Sequence, residues 1–166
     1  DLDLQNIRGN VDTRLSKLDR GEFDAIILAE AGLRRLEFDQ RIREVISPRG
    51  MTPAVGQGAL GLEVRTDDQA TIEAIAFLDD QPTHAAVRAE RAMLRELRGG
   101  CLAPIGGWAR MESEQLVLMG VVCSMDGSQR LRIEQGANPA DAAKLGSRVA
   151  IELKALGSDR LLAEAR

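Results

Sequence analysis

Leu97-Arg98-Gly99-Gly100-Cys101-Leu102-Ala103-Pro104-Ile105-Gly106-Gly107 is the stretch on which the fold turns. A helical pattern runs into it, because Ala86, Ala89, Met93 and Leu97 recur at helical spacing. A strand pattern runs out of it, from Gly106 to Arg110. Glycines beside a thiol leave room for a bulky group and admit backbone angles that other residues resist. Pro104 stiffens the exit. Cys101 is therefore either a structural cysteine buried at a tight turn or a candidate covalent attachment point or nucleophile.

Downstream of this loop the texture is antiparallel β. Gln115 to Cys123 and Gln129 to Gln135 are further strands, and Met125-Asp126-Gly127-Ser128 between them is a hairpin turn. Cys123 falls inside a strand and reads as core. Pro139 to Leu156 is a long helix with Ala142, Leu145, Val149 and Leu153 on one face, stopped by Gly157. Ser158 to Arg166 is a short final helix. Residues 78–166 are thus expected to form a small α+β domain with a three-stranded antiparallel sheet and three helices, carrying the cysteine loop at its border.

Upstream, Leu4 to Arg8 is a strand candidate, Val11 to Asp19 a helix with Val11, Leu15 and Leu18 on one face, and Asp24 to Ala29 an apolar run suited to a buried strand. Strand, helix and strand in that order predict a βαβ unit and a parallel sheet. Ligands bind at the carboxyl ends of strands in open α/β sheets. Arg8 and Arg35 follow the two strands, and Arg14 lies early in the intervening helix. They are either solvated surface charges or an anion site suited to carboxylates. Lys17, Arg20, Arg34, Arg41 and Arg43 read as surface charges. Ile42 to Ile46 is expected to finish a short helix. Pro53-Ala54-Val55-Gly56-Gln57-Gly58 has the composition of a hinge, and Gln57 between two glycines can present its amide freely. Ala59 to Arg65 reads as a strand, Asp68 to Leu78 as a helix, and Thr83 as the cap of a helix running from His84 to Leu97.

Composition narrows the classes. The 166 residues are 44% hydrophobic and 29% charged, as in a globular chain of one ordinary domain or two small ones. A net charge of −4 and a single Trp, three Phe and no Tyr argue against nucleic acid and anionic membrane as partners. Cys101 and Cys123 fit no zinc-ligand spacing, and no metal is expected. His84, the only histidine, reads as a surface residue. No apolar run is long enough to span a membrane. The absence of a leader and of an initiator Met suggests a chain cut into rather than begun, and a cytoplasm-like compartment is expected.

Four motifs then converge. Ile7-Arg8-Gly9-Asn10-Val11-Asp12-Thr13-Arg14-Leu15, Ala29-Glu30-Ala31-Gly32-Leu33-Arg34-Arg35-Leu36, Pro53-Ala54-Val55-Gly56-Gln57-Gly58-Ala59 and Leu97-Arg98-Gly99-Gly100-Cys101-Leu102-Ala103-Pro104-Ile105 stand in one order and spacing. Together they resemble the porphobilinogen deaminase (hydroxymethylbilane synthase) family over essentially the whole chain. The resemblance implies a transferase of tetrapyrrole and heme biosynthesis. It polymerises four porphobilinogen units on a dipyrromethane cofactor held by a cysteine thioether, releasing ammonia and then hydroxymethylbilane. It implies Cys101 as the attachment site. It implies Arg8, Arg14 and Arg35 as ligands of the acetate and propionate groups, and Gln57 as part of the segment bordering the cleft.

The resemblance also implies a domain plan. Residues 1–58 would be the later part of a second α/β domain, of the type II periplasmic-binding kind, with its hinge near 53–58. Residues 59–77 would cross back to a first domain, and residues 78–166 would be the C-terminal domain. Family members are longer than this chain. Their catalytic aspartate matches no motif here, so no catalytic residue is assigned, and this chain alone is expected to be inactive without the preceding half of the protein. A monomer is expected. Two other readings compete: a small-carboxylate-binding module of the periplasmic-binding type without chemistry, and an interaction domain built on residues 78–166 in which Cys101 is merely structural.

Overall fold

The computed structural model describes residues 2–100 and 103–165. The chain forms two compact units, Asp1–Ile46 and Ser47–Arg166.

In the first unit, helix α1 spans Val11–Asp19 and buries Leu15. Asn10 caps it, its side chain accepting from the Thr13 amide at 2.8 Å and from the Thr13 hydroxyl at 2.7 Å. Gly9 makes this entry possible. Its φ is +121°, and a Cβ there would stand 2.7 Å from Thr13 Cγ2. Helix α2, Glu30–Arg35, buries Leu33. The helix expected to end at Ile46 is replaced by a single 3₁₀ turn, Asp39–Arg41. Ile42, Val45 and Ile46 are β-branched, and Val45 and Ile46 lie exposed, so neither propensity nor burial supports a helix there.

In the second unit, helix α3 spans Gln69–Ile75, with Asp68 accepting from the Thr71 amide at 3.0 Å. The last turn of the helix expected to reach Leu78 is a 3₁₀ turn, Ala76–Leu78. Helix α4, Gln81–Glu96, starts earlier than expected because Asp80, and not Thr83, caps it. Pro82 in its first turn gives up an amide that has no helical partner there anyway.

Strands β1 (Ile105–Glu112), β2 (Gln115–Cys123) and β3 (Arg130–Ala137) form one antiparallel sheet in sequence order. The register places Trp108 opposite Met119 and Met119 opposite Glu134. Gly127, at φ +72°, turns β2 into β3. The Asp126 carboxylate accepts from the Ser124 and Ser128 hydroxyls and the Ser128 amide, which hold its pKa at about 2. A 3₁₀ turn, Pro139–Asp141, leads into helix α5, Ala142–Ala155, and helix α6 follows at Ser158–Glu164. Gly157 separates α5 from α6 at φ +97°.

The core lies between one face of the sheet and the helices. Ile105, Ala109, Leu116, Leu118 and Val122 meet Ala89, Met93 and Leu97 of α4, and Leu145, Val149 and Leu153 of α5. This is the expected α+β domain. Cys123 is half-buried rather than core. It ends β2, where its amide donates to the Pro104 carbonyl at 3.0 Å.

On the other face, Arg110 lies 4.0 Å from the Trp108 ring centroid and donates to Glu134 at 2.6 Å. Arg132 and Arg49 reach the same carboxylate at 2.7 and 3.0 Å. The three guanidinium groups, Arg110 first, hold the Glu134 pKa at about 2 against an ordinary 4.5. Its ionised form is thus favoured by folding. The resulting stability is present above pH 4.5 and is lost as pH falls through about 2. Urea unfolding of wild type and Glu134→Gln across that range is expected to show a gap that closes on acidification. A gap of constant size would contradict the assignment.

The expected strands Leu4 to Arg8, Asp24 to Ala29 and Ala59 to Arg65 are not formed. Among the described residues they have no ladder partner, and a strand exists only through its pairing. Several of their apolar residues are left in solvent, with Ile27 58% and Leu60 88% exposed, while Ile26, Leu28 and Val64 are half-buried.

Candidate functional site

The cysteine loop starts from the end of α4. Leu97 donates its amide to the Met93 carbonyl and Gly99 to that of Leu94. Arg98 takes the left-handed conformation at φ +53°, so the helix turns on an arginine and not on a glycine. Gly99 passes close to two side-chain ends: a Cβ there would stand near Ile105 Cδ1 and Leu94 Cδ1, which would have to shift. Cys101 lies outside the described residues. Its flanks are fixed, since Ala103 donates to the Gly100 carbonyl at 3.1 Å and β1 begins at Ile105.

The segment before α3 lies against the same framework. The Pro53 carbonyl accepts from the Gly107 amide at 2.9 Å, at the free edge of β1. The next outward amide on that edge, of Ala109, donates to Glu90 Oε1 at 2.8 Å. Glu90 Oε2 accepts from the Gly56 amide at 2.7 Å. Pro53 and Glu90 thus satisfy edge donors that would otherwise be bare. Glu90 is 7% exposed; burial pushes its pKa up, while the two amides pull it back. Gly56 turns at φ +75°, and Gln57, next to it, is exposed. Sequence reasoning missed Glu90. The signal was there: it stands between Ala89 and Met93, on the apolar stripe of α4.

The arginines of the first unit divide. Arg20 pairs with Glu22 at 2.7 Å, Arg34 with Glu30 and Asp39 at 2.8 and 2.9 Å, and Arg41 with Asp19. Arg8, Arg14 and Arg35 have no carboxylate partner among the described residues, and neither do Lys17 and Arg43. Arg8 precedes α1 and Arg14 lies in its first turn. Arg14 Nε donates to the Gly9 carbonyl at 2.8 Å, and Lys17 Nζ to the Arg8 carbonyl at 3.3 Å. Arg35 ends α2. The arginines singled out from the sequence as anion ligands are therefore free of internal ion pairs. Three of the five cations read as surface charges are neutralised locally. Free guanidinium groups suit carboxylate ligands. Arg8, Arg14 and Arg35 belong to the first unit and the cysteine loop to the second. Among the described residues no helix is long and apolar enough to cross a membrane.

Comparison with known proteins shows the family. Residues 1–73 match the family model described as porphobilinogen deaminase, dipyromethane cofactor binding domain. Residues 84–155 match porphobilinogen deaminase, C-terminal domain. The porphobilinogen deaminase of Syntrophobacter fumaroxidans is 47% identical over 164 residues, which is 99% of this chain and 53% of the relative. Those of Prochlorococcus marinus and Trichlorobacter lovleyi are each 48% identical over 98% of this chain and 52% of their own length. The chain therefore spans about half the length of the relatives it matches. With two successive domain models and near-half identity along almost its whole length, the chain belongs to the porphobilinogen deaminase family.

Proposed function

We propose that this chain is the later part of a hydroxymethylbilane synthase. The enzyme joins four porphobilinogen units head to tail on a dipyrromethane held by Cys101, releases ammonia at each addition, and then frees hydroxymethylbilane by hydrolysis. The observation that carries this reading is the pairing pattern of the first unit: Arg8, Arg14 and Arg35 carry no internal ion pair among the described residues. When bound, the dipyrromethane supplies the pyrrole terminus on which the product is built. Arg8, Arg14 and Arg35 hold acetate and propionate groups by bidentate donation, for which a planar guanidinium is better suited than an ammonium. Gln57 borders the cleft from its exposed turn. Cys101 is the residue that carries the cofactor, on the segment between Gly100 and Ala103.

In this reading residues 1–58 are the later part of a periplasmic-binding-like (type II) domain, residues 59–77 cross back to a first domain, and residues 78–166 form the C-terminal domain. Arg8, Arg14, Arg35 and Cys101 bind and anchor; they do not move protons at the pyrrole. The general acid/base, an aspartate, belongs to the preceding half of the protein, which is the partner this chain needs. The enzyme works as a monomer in the cytoplasm. A carboxylate-binding module without chemistry is less favoured, since it leaves the cysteine loop without a role.

The test is porphobilinogen consumption. The 166-residue chain alone is expected to show no turnover, and the same chain joined to its preceding half is expected to be active. Turnover by the chain alone would contradict this division of labour.

A further inference from the structure

Glu90 is a buried carboxylate with no cationic partner among the described residues, a costly arrangement unless its oxygens are used. Both are used, on amides far away in sequence: Gly56 at 2.7 Å and Ala109 at 2.8 Å. We propose that Glu90 is a positioning residue that latches the Gly56–Gln57 turn to the frame carrying the cysteine loop. The inference rests on the reading that Gln57 borders the cofactor site.

The geometry supports the role in three ways. First, α4 runs from Glu90 to Glu96 and then into the loop, while Ala109 lies on the strand that leaves it. One side chain therefore joins the entry of the loop, its exit and the hinge turn. Second, Pro53 and Val55 before the turn are held by the Gly107 amide and the core. The turn itself, with Gly56 in the left-handed region, has the local backbone bonds Gln57 to Ala54 at 3.1 Å and Ala59 to Gly56 at 3.3 Å. Glu90 is the side chain that holds the Gly56 amide. Third, the chemistry is selective. A carboxylate is acceptor-only and can serve two donors at once. A glutamine would turn its NH₂ group toward one of the two amides, and an alanine would leave both unpaired.

The test compares the 166-residue chain with Glu90→Gln by amide hydrogen exchange and ¹⁵N relaxation. In the variant the Gly56 amide is expected to exchange about tenfold faster or more, and Gln57 to lose backbone order. The Leu118 and Val122 amides should keep their protection. Unchanged exchange at Gly56 would overturn the proposal. So would acceleration of Gly56, Leu118 and Val122 alike, which would make Glu90 merely structural. If the variant does not fold, wild type decides. Through-hydrogen-bond couplings from the Gly56 and Ala109 nitrogens to the Glu90 carboxylate carbon are expected, and their absence would overturn the latch. Neither readout involves the cofactor. An unmodified Cys101 would therefore count against the site reading, while the amides alone judge the latch.

Discussion

Gly146→Ala is expected to lower the stability of the C-terminal domain by about 3 kcal/mol, and Gly146→Val to prevent its folding. Gly146 lies in α5, on the face against α4. A Cβ there would stand 2.1 Å from the Ala89 carbonyl oxygen, 2.8 Å from the Met93 nitrogen and 2.8 Å from Ala92 Cβ. Two of these atoms are backbone and cannot rotate away. Relief requires the two helices to separate, which opens voids around Met93, Val149 and Leu153, all fully buried. Helix propensity alone predicts the opposite sign, a gain of about 1 kcal/mol for alanine over glycine. Urea unfolding monitored by circular dichroism separates the two. A variant as stable as wild type would show that the helices are not held at contact by this glycine.

The same close approach shows what a linear pattern conveys and what it hides. The apolar stripes Ala89, Met93, Leu97 and Leu145, Val149, Leu153 mark the facing helix sides, and the Asp126-Gly127 turn marks the hairpin, because these signals are local. Strand β2 could be bounded at Gln115 and Cys123 for that reason. The distance between α4 and α5 is not local, and Gly146 reads as an ordinary helical glycine until the partner backbone is in place. The segments Leu4 to Arg8, Asp24 to Ala29 and Ala59 to Arg65 carry strand composition, yet no ladder forms along them among the described residues. Composition records a tendency; pairing depends on the neighbour.

The site was legible to a similar degree. Arg8, Arg14 and Arg35 could be named from motifs, and among the described residues they lack ion pairs, unlike Arg20, Arg34 and Arg41 but like Lys17 and Arg43. Glu90 could not be assigned a task from its helix position, since its two partners lie 34 and 19 residues away. Arg98 was equally opaque. It takes the αL position at φ +53° although glycines follow it directly.

The second large effect concerns Cys101. Cys101→Ala is expected to abolish covalent attachment of the dipyrromethane altogether, because no other thiol can substitute. Cys123 is half-buried at the end of β2 and belongs to the sheet framework. Attachment balances simply. In the proposed attachment the sulfur would bond to the aminomethyl carbon of a porphobilinogen unit, the carbon–nitrogen bond would break, the thiol proton would leave with the amine, and ammonia would depart. A second unit would add to the first with loss of a second ammonia. The thiolate is the reactive form, so loading is expected to slow at lower pH.

Intact mass spectrometry tests the central claim most directly. The protein that carries this chain, isolated from a host that makes porphobilinogen, is measured beside its Cys101→Ala variant. Wild type is expected to be heavier than its sequence by two porphobilinogen units less two molecules of ammonia, and the variant to match its sequence. An unmodified wild-type protein, or the same added mass on the variant, would contradict the assignment of Cys101 as the cofactor anchor.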